Sequence, residues 1–314
     1  MHFYFIGVTT NESAMARILP LWSKALDLNL ELVGIDLPIE ATPAQYRDAI
    51  SDMKSDPKAL GAVVTTHKQK VYEHAADLFD EFDAMAKLTH EVSSIAQTGT
   101  SIAGLTMPQC MSSTLALNTM LDVDYWKTRQ SDALFLGAGG AARAIVLCLL
   151  FDCESDKTLT KRRPYTPKQI TLVDTHQEQL DSVASLLEPL RGNVGIKYVL
   201  HASAADNDRL LASVPKGSLI VNATGMGKDR PGSPITDAAK FPEASVVWEL
   251  NYRGERSFLK QAKSQEERQS LQIHDGWIFF LHGWTQALEP VLQRKFSPGE
   301  FDRLAEIAEP FRVG

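Results

Sequence analysis

Three short segments of this sequence have residue types and spacing suited to holding a dinucleotide. Gly137-Ala138-Gly139-Gly140-Ala141-Ala142 follows the apolar run Ala133-Leu-Phe-Leu136 and opens an alanine-rich stretch. This is the pattern G-x-G-x-x-A set between a strand and a helix. There the first glycine permits a tight turn, and the second removes a Cβ so that backbone N–H groups approach a pyrophosphate. The small third position lets helix and strand pack closely. The N-terminus of the helix adds partial positive charge toward the phosphates. Asp174 ends the next apolar run, Ile170-Thr-Leu-Val173, where a ribose would lie. A carboxylate there accepts hydrogen bonds from a 2′-hydroxyl and repels a 2′-phosphate, so NAD is expected over NADP. Its distance from the glycines exceeds the usual ~20 residues because a polar insertion, 154–168, intervenes. In Val221-Asn-Ala-Thr-Gly-Met-Gly227, Asn222 and Thr224 are expected to hydrogen-bond the ribose or amide of a nicotinamide. Met226 is expected to pack on its ring.

The elements that must position these groups follow from periodicity. Strands are expected over 3–8, 30–35, 61–65 and 101–105, alternating with helices over 14–26, 43–53 and from 66 to 82. Pro43 suits a first helical turn. Such alternation implies an α/β unit with a mainly parallel sheet. A helix over 110–121 leads to a second unit. This unit has strands at 133–136, 170–173, 197–200, 218–222 and 246–250, the last closing the parallel series. Helices are expected over 139–151, 177–190 and 206–212, then 276–293 and 298–308. The resulting division is a first domain over 1–124, completed by 276–314, and a dinucleotide-binding domain over 125–275.

Composition narrows the function classes. The chain has 314 residues, 44% hydrophobic and 23% charged, with a net charge of −7. That balance suits two globular domains and argues against a nucleic-acid groove. The basic cluster Lys161-Arg162-Arg163 lies in the insertion and reads as a solvated loop; its alternative use is to fold over a 2′-phosphate. Cys110, Cys148 and Cys153 form no C-x-x-C pair and no histidine cluster has metal spacing, so neither zinc nor a disulfide framework is indicated. No run approaches the roughly 18 apolar residues that span a bilayer. The first seven residues are too short for a signal segment. A cytoplasmic protein acting on a small molecule, without nucleic-acid or membrane partners and capable of pairing as a homodimer, is expected.

The order of motifs resembles the shikimate/quinate dehydrogenase family. Val63-Val-Thr-Thr-His-Lys68 is similar to V-T-V-P-H-K, and Gly137–Ala144 to G-A-G-G-A-x-R-A. Asn222-Ala-Thr224 with Met226 resembles N-A-T-x-x-G-M with the spacing shortened. Glu249-Leu-Asn-Tyr252 followed by Ser257-Phe-Leu259 resembles D-x-x-Y-x-P-x-x-T-x-L. The resemblance implies an N-terminal α/β substrate domain, a Rossmann dinucleotide-binding domain and C-terminal helices returning to the first. It also implies that Lys68 is catalytic, taking the hydroxyl proton of a secondary alcohol or stabilising the alkoxide while a hydride moves to the nicotinamide. His67 beside it reads as structural.

The substrate side departs from the family pattern. Ser93 stands where the family has Asn, and Pro108 where it has the Asp that pairs with the lysine. Thr106 lies in the same stretch, and Glu91 is the nearest acid in these motifs. Glu12-Ser-Ala-Met-Ala16 keeps Ser13 of the family's H-S-x-S-P and has Met15 for the second serine. Arg17, one helical turn on, can hold a carboxylate bidentately. Gly283 occupies the position of a substrate-binding Gln, with His282 and Gln286 nearby. The aromatic run Trp277, Phe279, Phe280 reads as helix packing. Substrate contacts are thus expected from Ser13, Arg17, Ser93, Thr106, Tyr252, His282 and Gln286. The expected function is an NAD(P)-dependent dehydrogenase acting on a small polar hydroxy compound such as a cyclic polyol acid. Shikimate/quinate turnover proper, or a catalytically weak dinucleotide- or metabolite-sensing protein, are the alternatives.

Overall fold

Strand β1 (His2–Gly7), buried from Phe3 onward, opens the first sheet. After it come α1 (Met15–Ala25), β2 (Glu31–Asp36), α2 (Pro43–Ser55), β3 (Ala59–Val64) and α3 (Lys68–Ala75). The stretch continues with β4 (Glu81–Phe82), α4 (Ala84–Thr89), β5 (Ser94–Thr98), β6 (Ser101–Leu105) and α5 (Met107–Met120). The sheet order is β2-β1-β3-β5-β6-β4. β1 lies parallel to β2 and β3, whereas β5 runs antiparallel to both β3 and β6. The mainly parallel sheet expected from the alternation is therefore mixed. The cause is local: only Gly99 and Thr100 join β5 to β6, and Gly99 takes φ +62°. A connection that short closes a hairpin, whereas a parallel crossover needs a dozen residues or more.

The structure, a computed structural model, describes residues 1–201, 203–228 and 230–312. The next elements are α6 (Tyr125–Arg129), β7 (Ala133–Leu136), α7 (Gly140–Leu150), β8 (Gln169–Asp174), α8 (Gln177–Leu187) and β9 (Gly195–Leu200). Then come α9 (Ala204–Ser213), β10 (Leu219–Asn222), β11 (Val246–Glu249), α10 (Ser257–Lys263), α11 (Glu266–Gln269) and β12 (Gln272–His274). All six strands are parallel, in the order β12-β11-β10-β7-β8-β9. This is the doubly wound Rossmann arrangement, whose order reverses between β7 and β10. β11 does not close the series as expected, because β12 adds to its outer edge. Three residues carry too little apolar pattern to announce a strand.

Helices α12 (Trp277–Leu292) and α13 (Pro298–Ala308) end the described chain. Two units result: Met1–Ser112 with Lys157–Leu159 and Leu281–Arg312, and Ser113–Asp156 with Thr160–Phe280. In the first, Trp22 Nε1 donates to Leu304 O at 2.8 Å, and Phe3 and Phe5 meet Trp284 edge-on. Its core joins Ile6, Tyr46, Ile50, Met53, Val64 and Ile95. The core of the second joins Leu134, Leu136, Ile220, Val247 and Phe258. α7 is buried from Ala142 to Leu150, as a helix that is apolar all round must be.

The insertion after α7 is tied down by its own charges. Lys161 Nζ lies 2.7 Å from Asp152, Arg162 stacks over the Phe151 ring, and Arg163 Nε donates to Cys148 O at 2.6 Å. The basic cluster thus ties the insertion back to the end of α7, while Lys161 and Arg162 stay exposed. The three cysteines are buried and none of them is in a disulfide. Among the described residues no group of side chains could hold a metal, and no helix is long and apolar enough to cross a membrane.

Candidate functional site

In the first unit the site begins where β3 ends. His67 is buried and pinned on both ring nitrogens: Nε2 lies 3.0 Å from Leu37 O and Nδ1 2.9 Å from Tyr46 OH. A carbonyl only accepts, so Nε2 carries the proton and the tyrosine hydroxyl donates to Nδ1. Burial holds the imidazole pKa below its ordinary value and keeps it neutral. With His67 fixed, α3 starts at Lys68. Lys68 Nζ donates to Gln109 Oε1 at 2.8 Å.

Gln109 sits one residue past Pro108, in the first turn of α5. Asp83 sets that turn. Its carboxylate caps α4 through Ala86 N (2.6 Å) and also accepts from Thr106 N (2.9 Å) and Met107 N (2.8 Å). Burial nonetheless raises its pKa, against these amides, which lower it. Glu91, 2% exposed, packs next to the lysine's backbone, since Val92 N donates to Lys68 O at 3.0 Å. Gln69 Nε2 donates to Glu91 Oε1 at 3.2 Å.

The other residues expected to touch substrate are less alike in their settings. Ser93 Oγ donates to Leu105 O at 3.1 Å and Thr106 Oγ1 to Glu91 O at 2.5 Å. Both hydroxyls are buried and bind the β5–β6 hairpin to its flanks. Ser13 is buried and its Oγ accepts from Met15 N at 3.3 Å. Arg17 is exposed, with its guanidinium 5.3 Å from the Phe311 ring centroid. His282 is stacked on Phe301, and its buried Nδ1 has no hydrogen-bond partner among the described residues. Burial lowers its pKa to about 4. Gln286, one turn on, is half-buried.

In the second unit the glycine loop spans the end of β7 and the start of α7. Gly137 has φ +101°, and a Cβ there would lie 2.6 Å from Ala223 O. Only glycine fits. Gly139 caps α7 with an ordinary φ of −74° and no side-chain cap bond. A Cβ on it would meet nothing within 4 Å, so open space faces the helix N-terminus. That Cβ-free face before the first turn of α7 fits a pyrophosphate. Gly140 and Ala141 are half-buried, while Ala138 and Ala142 are fully buried. Arg143 is buried, donating to Gln179 Oε1 at 2.8 Å and Ser182 Oγ at 3.1 Å. It secures α7 to α8.

Asp174 supports the loop directly. Its Oδ2 accepts from Ala138 N and its Oδ1 from His176 N, both at 3.0 Å. At the end of β10, Asn222 is fully buried. Its Nδ2 donates to Glu249 Oε2 at 2.8 Å, and its Oδ1 accepts from Thr224 N and Oγ1. Its amide therefore shapes the loop, and the half-buried Thr224 and Met226 are what the loop presents. Tyr252 stacks on Phe280 at 4.1 Å, and Phe280 on Trp277. Trp248 meets Phe279 edge-on, so the aromatic run packs as helix-face residues do.

Gln109, Asp83 and Glu249 were not anticipated as site residues. Gln109 had a signal, its adjacency to Pro108, but an amide was not sought where an acid was missing. Asp83 and Glu249 act through partners distant in sequence.

No family model matches the sequence. Two curated relatives are named shikimate dehydrogenase (NADP(+)). The Streptococcus pneumoniae protein is 32% identical over 131 residues, 41% of each chain. The Salinibacter ruber protein is 28% identical over 278 residues, 83% of this chain and 82% of that one. The chain thus matches about two-fifths of the length of the first and about four-fifths of the second. Among solved structures, the quinate dehydrogenase of Corynebacterium glutamicum in complex with NAD has a TM-score of 0.73 at 15% identity, covering 99% of both chains. The ligand-free 5-ketofructose reductase of a Gluconobacter strain has a TM-score of 0.69 at 17% identity, covering 99% and 98%. A mixed α/β unit and a doubly wound parallel unit with a glycine loop define a two-unit α/β fold whose second unit is of the Rossmann class. Within that class the chain is similar in sequence to proteins named shikimate dehydrogenase and in fold to a quinate dehydrogenase.

Proposed function

We propose that the chain is an NAD(P)-dependent dehydrogenase that moves a hydride between the nicotinamide and a secondary alcohol of a small polar hydroxy compound, of the cyclic polyol acid class. The observation that carries this reading is Lys68, held at the start of α3 by Gln109 Oε1 at 2.8 Å. Around it lie the buried Glu91 and the fixed His67. When bound, the dinucleotide supplies a hydride acceptor at its nicotinamide. In the oxidation direction Lys68 Nζ takes the hydroxyl proton of the alcohol; in reduction it returns that proton. Gln109 orients Nζ without adding charge. Ser13 and Arg17 are the groups proposed for a substrate carboxylate, with Ser93, Thr106, Tyr252, His282 and Gln286 framing the remaining polar contacts.

Gly137–Ala142 would hold the pyrophosphate, and Thr224 with Met226 the nicotinamide end. We favour NAD over NADP, because the Asp174 carboxylate stands at the end of β8, where it disfavours a 2′-phosphate. Curated relatives are named for NADP(+), and the quinate dehydrogenase neighbour holds NAD. Titrating both dinucleotides by protein fluorescence is expected to give tighter NAD binding; tighter NADP binding would remove this preference. The buried cysteines, none of them in a disulfide, suit a reducing compartment, and we place the protein in the cytoplasm.

The substrate test is absorbance of reduced nicotinamide across a panel of cyclic polyols and hydroxy acids, including shikimate and quinate. Turnover of one member that disappears in Lys68→Ala supports the reading. Firm NAD binding with no turnover of any member would instead favour a dinucleotide-sensing protein.

A further inference from the structure

The carboxylate of Glu249 is 0% exposed at the end of β11, and it belongs to no catalytic step above. Its hydrogen bonds close a ring. Oε2 accepts from Asn222 Nδ2 at 2.8 Å; Asn222 Oδ1 accepts from Thr224 N and Oγ1 at 3.2 and 2.7 Å. Thr224 Oγ1 in turn accepts from Met226 N at 3.1 Å. Met226 O accepts from Asn251 Nδ2 at 2.8 Å, and Asn251 N donates to Glu249 Oε1 at 2.9 Å. Each of the five residues in this circuit is hydrogen-bonded to the next.

The backbone around the ring leaves little play. Gly227 N donates to Arg230 O at 2.6 Å, and Arg256 N to Gly227 O at 3.2 Å. A Cβ on Gly254 would lie 2.2 Å from Gly227 O, so the 225–227 turn is pressed against the 254–256 turn. A buried acid is costly unless it organises donors, and here both of its oxygens face donors from the two strand ends. Substituting an amide would turn one N–H against another.

We propose that Glu249 is the positioning residue for the nicotinamide end of the cofactor, acting through the hydrogen-bond ring that sets Thr224 and Met226. The assignment rests on the dinucleotide reading above. The ring ends at Thr224 and Met226 and does not include the glycine loop, so Glu249 governs the nicotinamide half and leaves the ADP half alone.

The test compares NAD with ADP-ribose, which lacks the nicotinamide ring, by calorimetric titration at pH 8. Glu249→Gln is expected to weaken NAD about tenfold, the effect of one lost buried hydrogen bond to a charged group, and ADP-ribose less than twofold. Asn251→Ala, which breaks the ring at another link, is expected to show the same selectivity with an unchanged far-ultraviolet circular dichroism spectrum. Glu249→Asp is expected to recover part of the NAD affinity. Equal loss of both ligands in Glu249→Gln and Asn251→Ala, or no loss of either, overturns the proposal alone. Wild-type protein that binds neither ligand overturns the dinucleotide reading and the proposal with it.

Discussion

Lys68 is the residue on which the proposed chemistry turns, and its neighbour Gln109 sets how it is presented. Lys68→Ala removes the proton acceptor and is expected to lower kcat by about 10²- to 10⁴-fold. Gln109→Ala removes one acceptor for Nζ and keeps the amine, and a loss of about tenfold in kcat is expected. NAD affinity should stay within about twofold in both; a large loss in either would place these residues elsewhere in the mechanism. Glu249 gives a second, independent residue-level prediction. Burial pushes its pKa from 4.5 to about 7. A group raised in the fold contributes stability that is present below its unfolded pKa and lost as pH rises through the folded one. Between pH 5 and pH 8 the wild type should therefore lose roughly 3 kcal/mol relative to Glu249→Gln, measured by urea unfolding at each pH. Parallel pH dependences would show that the carboxyl titrates normally. Lys68 stands out in the sequence as a candidate because His67 and Lys68 keep their motif. Gln109 was not, since the side chain that meets Nζ stands one residue from the position where an acid was sought.

The element scale separates two glycines that look equivalent in sequence. Gly137 turns the chain at the end of β7 with φ +101°, 2.6 Å from a clash with Ala223 O, whereas Gly139 caps α7 in an ordinary conformation facing open space. Gly137→Ala is expected to destabilise the protein by about 1–3 kcal/mol, read from the unfolding midpoint. Gly139→Ala should leave stability within about 0.5 kcal/mol and still weaken NAD, because its methyl projects into the space before the helix N-terminus. If both variants lose stability equally, the two roles are not distinct. The glycine spacing and the parallel order of the second sheet were readable because apolar runs and turn residues alternate there. β5 reads poorly because Ser94-Ile-Ala-Gln-Thr98 carries little apolar run, and β12 because it has three residues. The Glu249 ring was out of reach: Asn222 and Glu249 are 27 residues apart, and only the pairing of β10 with β11 brings them together.

At the scale of the whole molecule the two units are written differently into the chain. Residues 113–280 supply the second unit almost without interruption, while the first is assembled from 1–112 and 281–312. A chain stopped after Phe280 would lack Trp284 and Leu304, the partners of Phe3, Phe5 and Trp22. It is expected to show red-shifted tryptophan emission and binding of a hydrophobic dye; a native-like spectrum would mean that the first unit does not depend on its last two helices. The bond from Trp22 to Leu304 spans 282 residues, which also has a consequence in time. On the ribosome, the part carrying the glycine loop emerges whole while the part carrying Lys68 still lacks its closing helices. Phe3 and Trp22, both fully buried in the finished protein, stay without their final partners through most of synthesis. The half with the glycine loop is made ahead of the two helices that complete the half holding the proposed proton acceptor.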